Sequence, residues 1–250
     1  MSVLRLFGRS TFVLLDFCFH LRYNTKKGKG RGVSVIWAAV LTTCRGGQCP
    51  DAALVDQTID CLGELGLSAE AQSTLRAIRN LAARTQSVAA RLALMWALIG
   101  EGGIHPFDTP LPTDAKSEKP LCGLVYDNHG APCLLASGIA ISLAHCDGIA
   151  VAACTDEGRI GVDVEPCDRR LSRPAEMVRR YFSPSERRIW EESGCDAQQL
   201  LRIWTRKEAL GKAKGLGLAH IKELDTMTPE EPSYTELPLS GVIATVCQLK

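Results

Sequence analysis

Asp163 and Glu165 stand two residues apart in the run RIGVDVE (Arg159 to Glu165), and Glu208 stands one helical turn before Lys212 in WTRKEALGK (Trp204 to Lys212). Along a strand the period of two puts Asp163 and Glu165 on one face, roughly 7 Å apart at about 3.3 Å per residue, with Val162 and Val164 on the other. Carboxylates brought to one point repel unless a cation joins them. Hard oxygen donors with few protein ligands suit Mg2+, which keeps waters and adds substrate phosphates. His145 and Lys212 would supply the positive groups that hold a phosphorylated ligand. Together these parts suit transfer of a phosphoryl-type group. Plainer readings stand beside this one: D-x-E as the solvent face of a half-buried strand, His145 as a turn histidine, and Glu208 with Lys212 as a surface pair contributing about 0.3–0.5 kcal/mol. Trp204 on the Glu208 face argues that this surface is not fully exposed. The glycines from Gly211 to Gly217 fit neither the phosphate-loop nor the dinucleotide fingerprint and read as helix terminators.

The elements that must position these groups can be read from periodicity. Three short runs, 137–143, 149–154 and 159–165, are joined by turns containing Asp147-Gly148 and Asp156-Glu157-Gly158, which predicts an antiparallel meander. In a meander the first strand ends at His145 and the third at Glu165 on the same sheet edge. Ser183 followed by Pro184 and Glu186 is a capping box that starts a helix, and a further helix is predicted over 197–213, stopped by Gly215 and Gly217. A terminal strand is predicted over 241–249. Upstream, 33–41 reads as a strand, 54–65 as a helix and 69–99 as a long helical stretch stopped by Gly100, Gly102 and Gly103. Arg84 and Arg91 in that stretch read as a solvated helix face. Residues 106–120, with four prolines and no periodicity, read as a crossover between halves. The expected division is a basic N-terminal extension over 1–32, an N-terminal lobe with crossover over 33–120 and a C-terminal lobe over 121–250.

Composition bounds the rest. The 250 residues carry 29 Lys+Arg against 28 Asp+Glu and are 46% hydrophobic, which fits a globular protein and gives no basic field for nucleic acid. Charge is uneven: seven Lys/Arg and one acid fall within 1–32, a net of +6 that leaves −5 for the remainder. The apolar run from Thr11 stops at Asp16, far short of the roughly 20 residues needed to span a bilayer, so no membrane anchor is expected. Eleven scattered cysteines, including Cys61, Cys133, Cys154 and Cys247 within apolar runs, read as reduced, core-filling residues of a cytoplasmic protein. Cys44 and Cys49 lack partners for a zinc site.

In their order along the chain, SLAHCDGIAVAA (Ser142 to Ala153), IGVDVE (Ile160 to Glu165), FSPSE (Phe182 to Glu186) and WTRKEALGKAKGLG (Trp204 to Gly217) resemble the signatures of the 4'-phosphopantetheinyl transferases of the large, pseudo-dimeric Sfp/EntD-like type. HGAPCLLASG (His129 to Gly138) is similar to the segment that precedes them. The resemblance implies an α+β fold, a pseudo-dimer of two similar lobes, each a small antiparallel sheet with packed helices, with coenzyme A in the cleft. It implies transfer of the 4'-phosphopantetheine arm of coenzyme A to a serine of an apo acyl or peptidyl carrier protein, by a monomer, releasing adenosine 3',5'-bisphosphate. By motif position, Asp163, Glu165 and Glu208 would bind Mg2+. Glu208 would also be the base for the carrier serine. His145, Asp163 and Lys212 would bind coenzyme A, with Lys212 near the charge that develops on the bridging oxygen. Ala144 and Ala131 depart from the serine and lysine that many relatives carry there, which motivates an alternative: a non-catalytic coenzyme A or carrier-protein binding module of the same fold.

Overall fold

The computed structural model describes residues 35–42, 50–127, 130–228 and 232–250. The extension over 1–32, the Cys44 and Cys49 pair with its turn, and His129 lie outside the described residues. Strand β1 (Ile36–Leu41) is followed by helices α1 (Ala52–Glu64), α2 (Ala69–Ala77) and α3 (Leu81–Leu98). Asp51, Ser68 and Asn80 cap these helices, each side chain accepting from a first-turn N–H. The long helical stretch expected over 69–99 is thus divided into two helices. Ile78 takes extended backbone and Asn80 accepts from the N–H of Ala83, a local bond that outcompetes continuation of α2.

Next come β2 (Gly103–Pro106), α4 (Thr113–Glu118) and the hairpin of β3 (Leu124–Tyr126) with β4 (Pro132–Leu134). The predicted crossover thus holds a short helix, closed by Lys119 at φ 47°. Then follow β5 (Ala140–Cys146), β6 (Ile149–Thr155), β7 (Arg159–Pro166), α5 (Pro174–Tyr181), α6 (Pro184–Glu192), α7 (Ala197–Lys214), a 3-10 turn over Leu218–Glu223, β8 (Ser233–Glu236) and β9 (Val242–Leu249). The fold is mixed α+β, with three small sheets among the described residues: β2-β1-β6-β5, β3-β4 and β7-β9-β8. No helix among them is long and apolar enough to cross a membrane.

The expected meander is corrected. β5 and β6 pair antiparallel, but the other edge of β6 is taken by β1, from Ile36 opposite Cys154 to Leu41 opposite Ile149. With no free edge there, β7 pairs instead with β9, from Arg159 opposite Leu249 to Pro166 opposite Val242. The first sheet joins β1 and β2 from before residue 120 with β5 and β6 from after it, and its β1–β2 pair is parallel.

Alternation assigns the faces. Ala38, Val40, Ala150 and Ala152 turn to α1 and α3, in a core with Val55, Ile59, Leu62 and Leu94. Ala39, Val151 and Ala153 turn the other way, onto Val162, Val164, Ala244 and Val246 of the third sheet. The opposite face of that sheet receives α7, where Cys247 packs with Ala209, Leu210 and Ala213. The order of layers is helices, first sheet, third sheet, helix α7. Cys61, Cys122, Cys133, Cys154, Cys167, Cys195 and Cys247 form no disulfide. Cys154 and Cys247 are buried as expected, but Cys133 is exposed, because the short β4 turns its middle residue outward.

Candidate functional site

The third sheet and α7 meet at a glycine. A Cβ at Gly161 would stand 1.9 Å from Ala209 O and 2.6 Å from Ala213 N, so only a residue without a side chain lets β7 lie this close to the helix. The helix turn pressed onto β7 carries Glu208 and Lys212. Asp196 caps α7 at one end by accepting from Gln199 N, and Gly215 in left-handed backbone (φ 68°) closes the other. Val162 and Val164 point into the core between the sheets, so Asp163 and Glu165 point toward α7.

Lys212 ties the elements together. Its Nζ donates to Asp163 Oδ1 at 2.8 Å, to Val162 O at 2.9 Å and to Leu143 O at 3.5 Å, three acceptors for three donors on β5 and β7. Its ion-pair partner is thus Asp163 rather than Glu208, and the reading of Glu208 with Lys212 as a surface pair is set aside. Asp163 is 7% exposed, and its second oxygen, Oδ2, is buried without a hydrogen-bond partner. Burial pushes the Asp163 carboxyl above the usual range, against the pull of Lys212. Glu165 is bonded to Arg169 and is also shifted up, chiefly by burial. Glu208 is pushed up to about 7, first by burial and then by the negative charges of Asp163 and Glu165, with Lys212 and Arg169 opposing.

His145 is the penultimate residue of β5, open to solvent on one side, and partial burial of its ring together with the fields of Arg91 and Lys212 lowers its pKa. The structure therefore brings Asp163, Glu165, Glu208, Lys212 and His145 to one end of the β5–β7–α7 junction. Among the described residues, no three His, Cys, Asp or Glu side chains are gathered into a ready cage for a metal. The chemistry of the donor set nonetheless fits Mg2+: a buried carboxylate oxygen with no partner, flanked by two more carboxylates that repel it.

Sequence reasoning missed several supporting residues. Arg169 lies one i,i+4 step from Glu165 beyond a proline turn, and Gly161 inside a strand pattern is a signal of close backbone approach. Ser142 Oγ accepts from Val162 N at 3.0 Å, which fixes β5 beside β7. Arg84 and Arg91 are corrected: neither is a solvated face. Arg84 is 15% exposed at its side chain and paired with Asp56 at 3.2 Å. Arg91 is half-buried, donates to Ser87 O at 2.7 Å and lies over the Tyr126 ring. The body of α3 is sunk in the core, so both stems run along apolar surface.

Comparison with known proteins follows the same region. The family described as the 4'-phosphopantetheinyl transferase superfamily matches residues 159–242. The 4'-phosphopantetheinyl transferase HetI of Nostoc sp. is 32% identical over 115 residues, 43% of this chain and 48% of HetI. The 4'-phosphopantetheinyl transferase AcpT of Salmonella typhimurium is 29% identical over 139 residues, 53% of this chain and 70% of AcpT. The match spans about half the length of the first of these relatives.

Proposed function

We propose that the chain is a member of the 4'-phosphopantetheinyl transferase superfamily, whose model matches residues 159–242, and an enzyme of the Sfp/EntD-like type. It transfers the 4'-phosphopantetheine arm of coenzyme A to a serine of an apo acyl or peptidyl carrier protein. The serine oxygen bonds to the phosphorus that carries pantetheine, the bond from that phosphorus to the bridging oxygen breaks, and adenosine 3',5'-bisphosphate leaves. The observation that most supports this reading is the unpartnered buried Oδ2 of Asp163 beside the Glu208 carboxyl, whose proton affinity is near neutral. Asp163, Glu165 and Glu208 would hold Mg2+. When bound, that ion neutralises charge on the diphosphate.

The chain's own groups do the rest. Glu208 takes the proton of the serine hydroxyl, a task suited to a base poised near pH 7. Lys212 holds Asp163 in place and stands by the bridging oxygen as charge develops there. His145 faces a phosphate of coenzyme A from the end of β5. The two-lobe architecture belongs to the same reading, with the 18-residue α3 on the first sheet matched by the 18-residue α7 on the third and coenzyme A at the end of the seam where His145 and Lys212 stand. A monomer acting in the cytoplasm completes it.

The binding-module alternative draws on Ala131 and Ala144. Ala144 is buried in the core between the sheets, so its small apolar side chain has a packing role. Incubating the full chain with coenzyme A, Mg2+ and an apo carrier protein, then weighing the carrier, separates the readings. A mass gain equal to the phosphopantetheine arm is expected. Glu208→Gln is expected to abolish the gain while the variant melts cooperatively; no gain with any carrier tried returns the chain to the binding-module reading.

A further inference from the structure

Arg169 is the charged residue at this site that neither motif spacing nor the resemblance singles out. Its Nη1 donates to Glu165 Oε1, and its field reaches Asp163 and Glu208. Its backbone is fixed: Arg169 N donates to Pro166 O at 3.1 Å in a turn, and Cys167 N donates to Gly241 O at 3.1 Å. The Arg169 side chain is 40% exposed, whereas that of Glu165 is 14% exposed. A long side chain on a fixed base thus reaches in from solvent to a mostly buried carboxylate, and it can swing away without any backbone movement. Lys212 differs, since it is held by acceptors on two strands.

We propose that Arg169 is a movable counter-charge that competes with a divalent cation for Glu165 and, once displaced, turns to the diphosphate of coenzyme A. The proposal rests on the functional reading above. A guanidinium bonded to a carboxylate repels a second cation brought to the same group. Its planar fork also matches phosphate oxygens, which arrive with the co-substrate. One residue therefore opposes binding of the metal by itself and favours metal and coenzyme A together, and so couples the two.

The test uses the full chain with Mn2+ as probe, free Mn2+ being read by electron paramagnetic resonance with and without coenzyme A, and coenzyme A binding by calorimetry. Arg169→Ala is expected to bind Mn2+ by itself roughly three- to thirty-fold more tightly. It is also expected to bind coenzyme A more weakly in the presence of Mn2+, with Arg169→Lys between it and the parent. A merely structural role would weaken both together, and that result, or unchanged Mn2+ affinity in Arg169→Ala and Arg169→Gln, overturns the proposal. If the parent chain takes up no Mn2+ with coenzyme A present, the metal-site reading itself falls and carries the proposal with it.

Discussion

Glu208 is held between two demands. As the proposed base it must ionise, yet burial and the charges of Asp163 and Glu165 raise its carboxyl to about 7. The transfer rate is therefore expected to climb through pH 7 as one proton leaves, with a loss of about tenfold at pH 6 from the plateau. Rising Mg2+ should move that midpoint down, because a cation at the carboxylate favours its ionised form; a rate flat from pH 5.5 to 8 would remove Glu208 as the base. The same shift bears on stability. The folded-state value lies above the unfolded one near 4.5, so the folded protein loses stability as pH rises from there through 7. Above 7, Glu208→Gln should relieve on the order of 2 kcal/mol in the absence of added divalent ions. Melting at pH 8 would then rise by about 4–8 °C. These carboxylates were legible in the sequence by type and spacing alone. Arg169 was not, since an arginine after a proline turn has no periodicity to mark it.

Elements bring these residues together through close contact rather than through loops. Gly161→Ala would drive a methyl group into Ala209 O and Ala213 N, backbone atoms of α7 that cannot swing aside. A cost of about 3 kcal/mol or more is expected, with melting lowered by about 6 °C or more and Mn2+ binding lost alongside. Gly211→Ala is the internal control. Its nearest neighbour, Ile221 Cγ1, would stand 3.5 Å from the new methyl group, so the gain in helix propensity should raise stability by up to about 1 kcal/mol. Equal melting of the two variants would contradict the tight β7–α7 seam. The capping box at Ser183 was legible, and the structure shows it doing more than cap α6. Glu186 Oε2 accepts from Ser183 N and from the buried Lys207 Nζ at 2.8 Å each, while Oε1 accepts from Thr226 N and Thr226 Oγ1. That network anchors α7 one residue before Glu208. No spacing rule announces it, because Thr226 and Lys207 come to Glu186 only through the tertiary fold.

Across the whole molecule, local pattern and long-range pairing part company. The runs that became β5, β6 and β7 were visible, and so was their arrival at one end, because His145 and Glu165 do share it. The antiparallel β5–β6 pair was visible too, but the other pairings were not: the second edge of β6 goes to β1 and β7 pairs with β9, strands from the far ends of the described chain, and no local signal says that they will claim those edges. What remains between β5 and β7 is side-chain chemistry, and Ser142 is its clearest instance. Its Oγ, in a residue only 4% exposed, accepts from the N–H of buried Val162, the residue before Asp163. Ser142→Ala would leave that N–H buried and unpaired, at a cost of about 1–3 kcal/mol. The variant should melt about 2–12 °C lower. Its Val162 amide should exchange with solvent faster, and Mn2+ affinity should fall because Asp163 is no longer held in register with Leu143 and Lys212. Unchanged melting and unchanged Val162 exchange would mean that packing of Val162 and Val164 against the first sheet holds β7 in place without the hydroxyl, and that the site depends on the hydrophobic layer alone.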